Sequence, residues 1–176
     1  MNIGKNIVLI GFMGVGKTTV GHMLADRMNW EFADSDHMIE KKYGMPITEI
    51  FRKYGEDTFR KAERETIAEL CTRHKHMIIS LGGGAYAQEE VRKVCMSSGI
   101  VIYLDLSWRQ WLKRRPQLVD NRPILQSKSI QEIRELFEKR KIYYARHHIK
   151  VKTDGLNSAE IARIVYDRLQ KYTKKM

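Results

Sequence analysis

The sequence predicts an α/β fold of three layers, in which a central parallel sheet is covered by helices on both faces. Short apolar, β-branched segments alternate with segments of helical periodicity, as in βαβ units. The first three apolar segments end at Gly11, Asp34 and Gly82. Ligands of open parallel sheets bind beyond the carboxyl ends of the strands. We therefore expect these three positions to lie at one edge of the sheet and to mark the functional site.

Each element of the N-terminal half has its own signal. An apolar run over 6–10 precedes a glycine-rich turn and a helical apolar period. The polar segment 34–36 can cap a helix that begins near His37, and the glycine and proline of 44–46 end that helix. The predicted elements are a strand over 6–10, a helix over 16–28, a short strand over 30–33, a helix from about 37, a helical stretch over 47–73 that is interrupted at 54–56, and a strand over 77–81.

The C-terminal half continues the alternation, with one long irregular segment. Beyond Trp111 the basic segment 113–123 contains two prolines and no apolar period, so we predict a long loop. Asn157 and Glu160 stand at the spacing of a capping box and open a final helix. The other elements predicted here are a helix over 89–96, a strand over 100–104, a helix over 130–146 and an edge strand over 149–151.

Length and composition fit one domain over 1–176. With 43% apolar side chains, a chain of 176 residues can bury a core without disulfides or structural metals. Cys71 and Cys95 lie far apart and form no C-x-x-C pair, which argues against a zinc site or a secreted disulfide scaffold. The first residues lack the pattern of a signal peptide, and no apolar run could span a membrane. We expect a soluble, cytoplasmic monomer.

The net charge of +11 would attract nucleic acid, acidic membranes or small anions, so it names no partner by itself. The basic residues are spread along most of the chain, and there is neither zinc-finger spacing nor an aromatic RNP-type motif. We therefore expect most of this charge to be solvated surface, and no nucleic-acid or membrane partner. A nucleic-acid-binding module would instead show binding that falls steeply with salt.

The segment Gly11-Phe12-Met13-Gly14-Val15-Gly16-Lys17-Thr18 fits the phosphate-binding motif G-x-x-x-x-G-K-[ST] and lies between a predicted strand and helix. Glycines let backbone N–H groups approach phosphates closely, and the helix N-terminus adds partial positive charge. A lysine supplies charge to the terminal phosphates, and a threonine hydroxyl can coordinate Mg²⁺. The expected nucleotide contacts are Gly14, Val15, Gly16, Lys17, Thr18 and Thr19. ATP and Mg²⁺ are the expected cofactors.

Two aspartates follow the second strand, and they can divide the remaining chemistry. An acceptor hydroxyl needs an acidic group to orient it and to take its proton, and a metal ion needs a carboxylate near its waters. The chain has no N-K-x-D signature for guanine and little room for switch regions, so a small kinase is favoured over a signalling GTPase. An acidic acceptor calls for arginine, whose planar fork grips a carboxylate through two parallel hydrogen bonds.

The ordered set of motifs resembles the shikimate kinase family along nearly the whole chain. The motifs that carry the resemblance, besides the phosphate-binding segment, are Asp34-Ser35-Asp36, Phe59-Arg60-Lys61-Ala62-Glu63, Gly82-Gly83-Gly84, Asn121-Arg122-Pro123-Ile124-Leu125 and Glu138-Lys139-Arg140 with Tyr144. The resemblance implies a P-loop NTPase fold similar to that of the nucleoside monophosphate kinases, with inserted substrate-binding helices at about 36–62 and a lid at about 113–124. It also implies ATP-dependent phosphorylation of a shikimate hydroxyl to give shikimate 3-phosphate and ADP.

The resemblance assigns a role to each matching residue. It implies that Lys17, Asp36 and Arg122 are catalytic and that Thr18 and Asp34 serve Mg²⁺. Arg115 would stack on adenine, and Arg122 would reach the phosphates as the lid closes. The implied substrate contacts are Asp36, Phe59, Arg60, Glu63, Gly82, Gly83, Gly84 and Arg140. Arg60 and Arg140 would hold the carboxylate, with Glu63 fixing Arg60 or reaching a substrate hydroxyl.

The sequence departs from the family pattern at two places, and it leaves two alternative functions open. Leu156 and Ser158 stand where the family often carries an arginine and a proline near adenine, and Ile142 stands where a proline is common. One alternative is a P-loop kinase for another small hydroxylated acid such as gluconate. The other is a non-catalytic module that senses nucleotide or binds nucleic acid.

Overall fold

Five parallel strands form the central sheet of the computed structural model, which describes residues 4–118, 125 and 127–175. The strands lie in the order β2-β3-β1-β4-β5. Their bounds are β1 Asn6–Ile10, β2 Glu31–Asp34, β3 Met77–Ser80, β4 Gly99–Asp105 and β5 Ile149–Lys152. Every strand predicted from the sequence is present, and β5 is the predicted edge strand.

Seven α-helices of the described ranges surround the sheet. They are α1 Lys17–Met28, α2 Ser35–Tyr43, α3 Ile47–Arg73, α4 Glu89–Ser98, α5 Trp108–Leu118, α6 Ile130–Tyr144 and α7 Ser158–Thr173, with a short 3-10 turn over Ala85–Ala87. The predicted capping box of Asn157 and Glu160 opens α7. None of these helices is long and apolar enough to cross a lipid bilayer.

The apolar residues form two cores of unequal size. The main core contains β1, β3 and most of β4, whose side chains are almost completely buried, as expected for parallel strands covered on both faces. A smaller core lies between α2 and α3 and consists of Ile39, Ile50, Phe59 and Ala62. This second core packs α2 against α3, separately from the main core.

The break predicted at 54–56 is real, and it falls at Gly55. This residue has φ of 82° and ψ of 168° within the span of α3, which is a backbone conformation open to glycine and costly for other residues. The second part of α3, which carries Arg60 and Glu63, therefore has a direction of its own.

The prediction of a loop from residue 113 is wrong for residues 113–118, which belong to α5. The helix begins after Ser107, whose hydroxyl accepts a hydrogen bond from the Gln110 backbone N–H at 3.3 Å. Its buried Trp111 stacks on Trp108, with ring centres 5.0 Å apart, and this packing maintains the helix up to and beyond Pro116. Ser107 and Gln110 stand at the spacing of a capping box, a signal that could have revealed the helix. Residues 119–124 of the predicted loop and lid lie outside the described residues.

Strand order brings the three marked positions together. In the sheet register, Ser80 of β3 lies beside Leu9 of β1 and beside Asp34 of β2. Because parallel strands end at the same edge, the segments after β1, β2 and β3 start side by side. The phosphate-binding motif, the aspartate pair and the glycine turn are thus neighbours in the fold.

A buried asparagine joins β1 to the end of α3. The Asn6 amide donates to the backbone oxygens of Leu70, Cys71 and His74 at 3.2, 3.3 and 2.8 Å, and its oxygen accepts from the Met77 N–H at 3.1 Å. Carbonyls at a helix C-terminus lack partners within the helix, so one side chain here satisfies several backbone groups at once. This contact fixes the helix that carries Arg60 against the sheet.

We expect Asn6→Ala to lower the free energy of unfolding by about 2–3 kcal/mol, because it leaves buried backbone groups without partners. Thr72→Ala is the matched control, since its exposed hydroxyl bonds only the Ala68 carbonyl of the same helix, and it should cost less than about 0.5 kcal/mol. Urea unfolding measures both free energies. Equal losses for the two variants would contradict this role of Asn6.

Candidate active site

The segment between β1 and α1 forms a tight loop that packs against the neighbouring strand β4. Gly11 has φ of 149°, and a Cβ on it would lie 2.7 Å from the Leu104 carbonyl oxygen, so the neighbouring strand leaves no room for a side chain. Gly16 has φ of 95° and caps the N-terminus of α1. Lys17 and Thr18 then begin the helix, where the backbone N–H groups lack helical acceptors and can meet an anion.

The cation of the motif is held inside the loop. Lys17 is buried, and its Nζ donates to the carbonyl oxygens of Gly11 at 2.9 Å and Phe12 at 3.2 Å. These contacts hold the ammonium group against the loop that would surround a phosphate. Thr19, a predicted nucleotide contact, is exposed in the first turn of α1.

Residues of α5 support the loop from behind. The Trp111 indole Nε1 donates to the Met13 carbonyl oxygen at 2.9 Å, and Arg114 Nη1 lies 3.3 Å from the Val15 carbonyl oxygen. Sequence reasoning missed both residues. They use loop carbonyls as acceptors and so leave the N–H groups of the loop for a ligand. The support depends on contacts across about a hundred residues of chain, which no local motif reports.

The two carboxylate oxygens of Asp34 bind different parts of the chain. Its Oδ1 caps α2 by accepting from the N–H groups of Asp36 at 3.0 Å and His37 at 3.4 Å. Its Oδ2 accepts the Thr18 hydroxyl at 2.9 Å. One carboxylate therefore caps a helix and also joins the end of β2 to the phosphate-binding motif.

Asp36 lies against the first glycine of the turn after β3. A Cβ on Gly82 would come within 3.0 Å of all three atoms of the Asp36 carboxyl group. The Gly82 N–H donates to the Ser35 hydroxyl at 3.0 Å, which holds the turn beside α2. Ser35 is a further residue that sequence reasoning did not single out. A glycine is needed here because the carboxylate occupies the position of a side chain.

The glycine turn also touches the phosphate-binding loop. A Cβ on Gly83 would lie 3.2 Å from the Met13 backbone nitrogen, so the two backbones pass in direct contact. The Tyr144 hydroxyl donates to the Gly83 carbonyl oxygen at 2.7 Å and holds the turn from the side of α6. Burial raises the pKa of Tyr144, so this hydroxyl stays protonated and remains a donor.

Two guanidinium groups face one point beside the last glycine. A Cβ on Gly84 would lie 3.2 Å from Nη1 and Nη2 of Arg60 and 3.2 Å from Nη2 of Arg140. Arg140 is 8% exposed, and its buried Nη1 has no hydrogen-bond partner in the described structure. Burial lowers the pKa of Arg140, and the nearby Arg60 lowers it further. Two cations held this close favour an anion between them.

Glu63 is the carboxylate that faces this pair from within the protein. It is 1% exposed, and Arg60 Nη1 donates to its Oε2 at 2.7 Å. Burial raises the pKa of Glu63, while Arg60, Gln88 and Arg140 each oppose that rise. Arg60 also has the exposed Glu56 3.4 Å from its Nε, so Glu63 is the buried one of its two carboxylate partners.

The other predicted residues fall into separate environments. The Phe59 ring is nearly buried in the smaller core, with the Arg60 guanidinium 5.3 Å from its centre, so it supports the arginine from below. Arg115 lies on α5, half-buried, and its Nε has no partner among the described residues. Arg122 lies outside the described residues, so its nucleotide and catalytic roles stay predictions.

The oxygen ligands at Thr18 and Asp34 are of the kind that Mg²⁺ prefers. Within 4–118, 125 and 127–175, no group of three or more His, Cys, Asp or Glu side chains could hold a metal ion. Mg²⁺ in kinases takes one or two protein oxygens and completes its octahedron with waters and phosphates. The pair of residues therefore fits a nucleotide-bound Mg²⁺ rather than a metal held by protein alone.

Comparisons with known proteins agree with this geometry. A family model described as shikimate kinase matches residues 13–170. The chain is 46% identical over 166 residues to a shikimate kinase of Bacillus subtilis strain 168, which covers 94% of this chain and 89% of the relative. Its identity to a shikimate kinase of Bacillus licheniformis is 47% over 166 residues, or 94% of each chain.

Solved structures show the same relationship. A shikimate kinase from Acinetobacter baumannii in complex with shikimate superposes with a TM-score of 0.87 at 37% identity, over 95% of this chain and 93% of the other. A gluconokinase from Sinorhizobium meliloti has a TM-score of 0.60 at 15% identity, over 99% and 97% of the chains, and so shares the fold alone. The family match and the identity to these relatives over nearly the whole length show that this chain belongs to the shikimate kinase family.

Proposed function

We propose that this protein transfers the γ-phosphoryl group of ATP to a hydroxyl of shikimate, which gives shikimate 3-phosphate and ADP. The observation that carries the proposal is the pair of guanidinium groups of Arg60 and Arg140 at Gly84, next to a phosphate-binding loop. Shikimate is a ring alcohol with one carboxylate, which is the acceptor chemistry such a pair would bind. The complex of the Acinetobacter baumannii relative with shikimate supports the same choice.

The acceptor's carboxylate would lie beside Gly84, between the two arginines. A guanidinium fork and a carboxylate form charge-assisted hydrogen bonds that are roughly twice as strong as neutral ones. The orphaned Nη1 of Arg140 is a buried donor that a bound carboxylate oxygen could satisfy. Glu63 would hold Arg60 through Oε2, which Arg60 and Gln88 share, and a substrate hydroxyl would be within the remaining capacity of its second oxygen.

Asp36 would orient the acceptor hydroxyl and take its proton. Its carboxylate lies against Gly82, and Gly83 of the same turn touches the phosphate-binding loop at Met13. The hydroxyl oxygen then forms a bond to the γ-phosphorus as the bond to the β–γ bridging oxygen breaks, and ADP takes up the bridging electrons. The transition state is loose, so positioning and charge contribute more than the strength of the base.

The phosphate side would depend on Lys17 and on the N–H groups of Gly14 to Thr19. Lys17 is buried at the loop and would offset the negative charge that develops on the moving phosphoryl group. Arg115 on α5 would contact the adenine, and Arg122 is proposed to reach the phosphates. Thr18 and Asp34 would hold Mg²⁺, which when bound draws charge from the phosphate oxygens.

The proposal is tested by ADP release with shikimate, quinate, gluconate or no acceptor, each with ATP and Mg²⁺. We expect release to depend on shikimate and to stop when Mg²⁺ is chelated. Release that depends on gluconate and not on shikimate would instead support the gluconate alternative. Release that needs no acceptor would contradict acceptor phosphorylation altogether.

Lys17→Ala should lower kcat by about 10²–10³-fold, because it removes a positive charge from the site where phosphoryl charge develops. Lys61→Ala is the control, since Lys61 is exposed on α3 and should leave kcat unchanged. Steady-state ADP release at saturating shikimate measures the kcat of each variant. Equal kcat values for the wild type and Lys17→Ala would remove Lys17 from the catalytic residues.

Arg60→Ala should raise the shikimate KM by about 10–100-fold while the ATP KM stays near its wild-type value, because hydrogen bonds to a charged group contribute about 1.5–3 kcal/mol. Arg60→Lys keeps the positive charge but lacks the planar guanidinium fork, so its shikimate KM should lie between those of the wild type and Arg60→Ala. Arg52→Ala, on the exposed part of the same helix, is the control. An unchanged shikimate KM in Arg60→Ala would refute the carboxylate clamp.

A further inference from the structure

Gln88 occupies a place in the site that neither the motif pattern nor the proposed reaction uses. It follows the 3-10 turn Ala85–Ala87 and precedes α4, where its side chain makes no capping hydrogen bond. The residue is half-buried. Its amide points away from its own helix, toward α3.

The amide of Gln88 is held at both ends by charged side chains of α3. Its Nε2 donates to Glu63 Oε2 at 2.7 Å, and its Oε1 accepts from Arg64 Nη1 at 2.7 Å. A guanidinium can only donate, so the amide oxygen must face Arg64 and the NH₂ group must face Glu63. Arg64 thus sets the orientation in which Gln88 is a donor to the buried carboxylate.

Glu63 Oε2 therefore has two donors at equal distance, Gln88 from one side and Arg60 from the other. A buried carboxylate is costly unless it is paired and hydrogen-bonded. The neutral donor satisfies part of this carboxylate without adding a cation. The Arg60 guanidinium binds Glu63 through Nη1. Both of its terminal nitrogens still lie near Gly84, and Nη2 of Arg140 lies at the same place.

We infer that Gln88 is a positioning residue that acts through Glu63 to hold Arg60 toward the acceptor's carboxylate. The inference rests on the proposed function, because it assigns Gln88 to the affinity for an acidic acceptor. It also joins two parts of the site, since Gln88 directly follows the turn that contains the three glycines and contacts the helix that carries Arg60.

Gln88→Met tests this role with a side chain of similar shape that cannot donate. It should raise the shikimate KM by about five- to tenfold, because a hydrogen bond to a charged group is lost, and leave kcat and the ATP KM within about twofold. Gln131→Met is the matched control, since Gln131 bonds the exposed Glu135 on α6, far from this network. The ATP KM and the thermal midpoint of each variant verify that it is folded.

A double-mutant cycle separates positioning from general packing. If Gln88 acts only through Glu63 and Arg60, Gln88→Met should have no effect on the shikimate KM in an Arg60→Ala background. An additive rise in the double variant would overturn the inference, because Gln88 would then act independently of Arg60. Arg64→Met, which frees the amide to rotate, should raise the shikimate KM in the same direction and by less.

The same assay distinguishes failure of this inference from failure of the proposed function. A wild-type protein that releases ADP with shikimate, together with a Gln88→Met variant of wild-type shikimate KM, overturns the role of Gln88 alone. A wild-type protein with no shikimate-dependent release overturns the proposed function and this inference with it. A raised KM that disappears in the Arg60→Ala background supports both.

Discussion

The acceptor side of this site depends on one arrangement of charge, in which two guanidinium groups lie close together beside one buried carboxylate. Arg60 bonds Glu63 directly, and Arg140 lies within reach of the same point beside Gly84. Both carboxylates that pair here, the buried Glu63 and the exposed Glu56, bond Arg60, whereas Nη1 of the buried Arg140 has no hydrogen-bond partner among the described residues. A buried cation is costly unless it is paired, so an anion at this point would be stabilised. Gly84 carries no side chain, so both guanidinium groups can approach its backbone closely. The buried Arg140 is costly to the folded protein without an anion, and the same cost would favour the binding of an acid.

A second constraint, the order of the parallel strands, brings that pocket to the phosphate-binding loop. Because β3 lies between β2 and β1, the glycine turn that follows β3 has Asp36 on one side and the Met13 backbone on the other. Tyr144 holds the turn from α6, and Trp111 holds the loop from α5. The donor and acceptor ends of a phosphoryl transfer are thus placed by rigid elements, which suits a reaction that relies on positioning.

Local sequence patterns were sufficient to predict the features that depend on neighbouring residues in the chain. The phosphate-binding motif, the helix cap at Asp34 and the break at Gly55 depend on backbone conformations that neighbouring residues impose, and the structure has each of them where it was expected. The same reasoning failed for residues 113–118, where a basic, proline-containing segment reads as a loop. That helix persists because Trp108 and Trp111 pack on the core, and packing of this kind can override weak local propensity.

The sequence was sufficient to predict the five strands, the phosphate-binding loop and the residue types that an acidic acceptor and a nucleotide require, although it missed α5. It could do so because these features follow from spacing along the chain. Only the tertiary structure decided that Arg60 and Arg140 meet at Gly84, and that Gln88 and Tyr144 hold the groups around them. These partners lie 24 to 80 residues apart in sequence, and their contacts arise only when the order of the sheet brings the connecting segments to one edge.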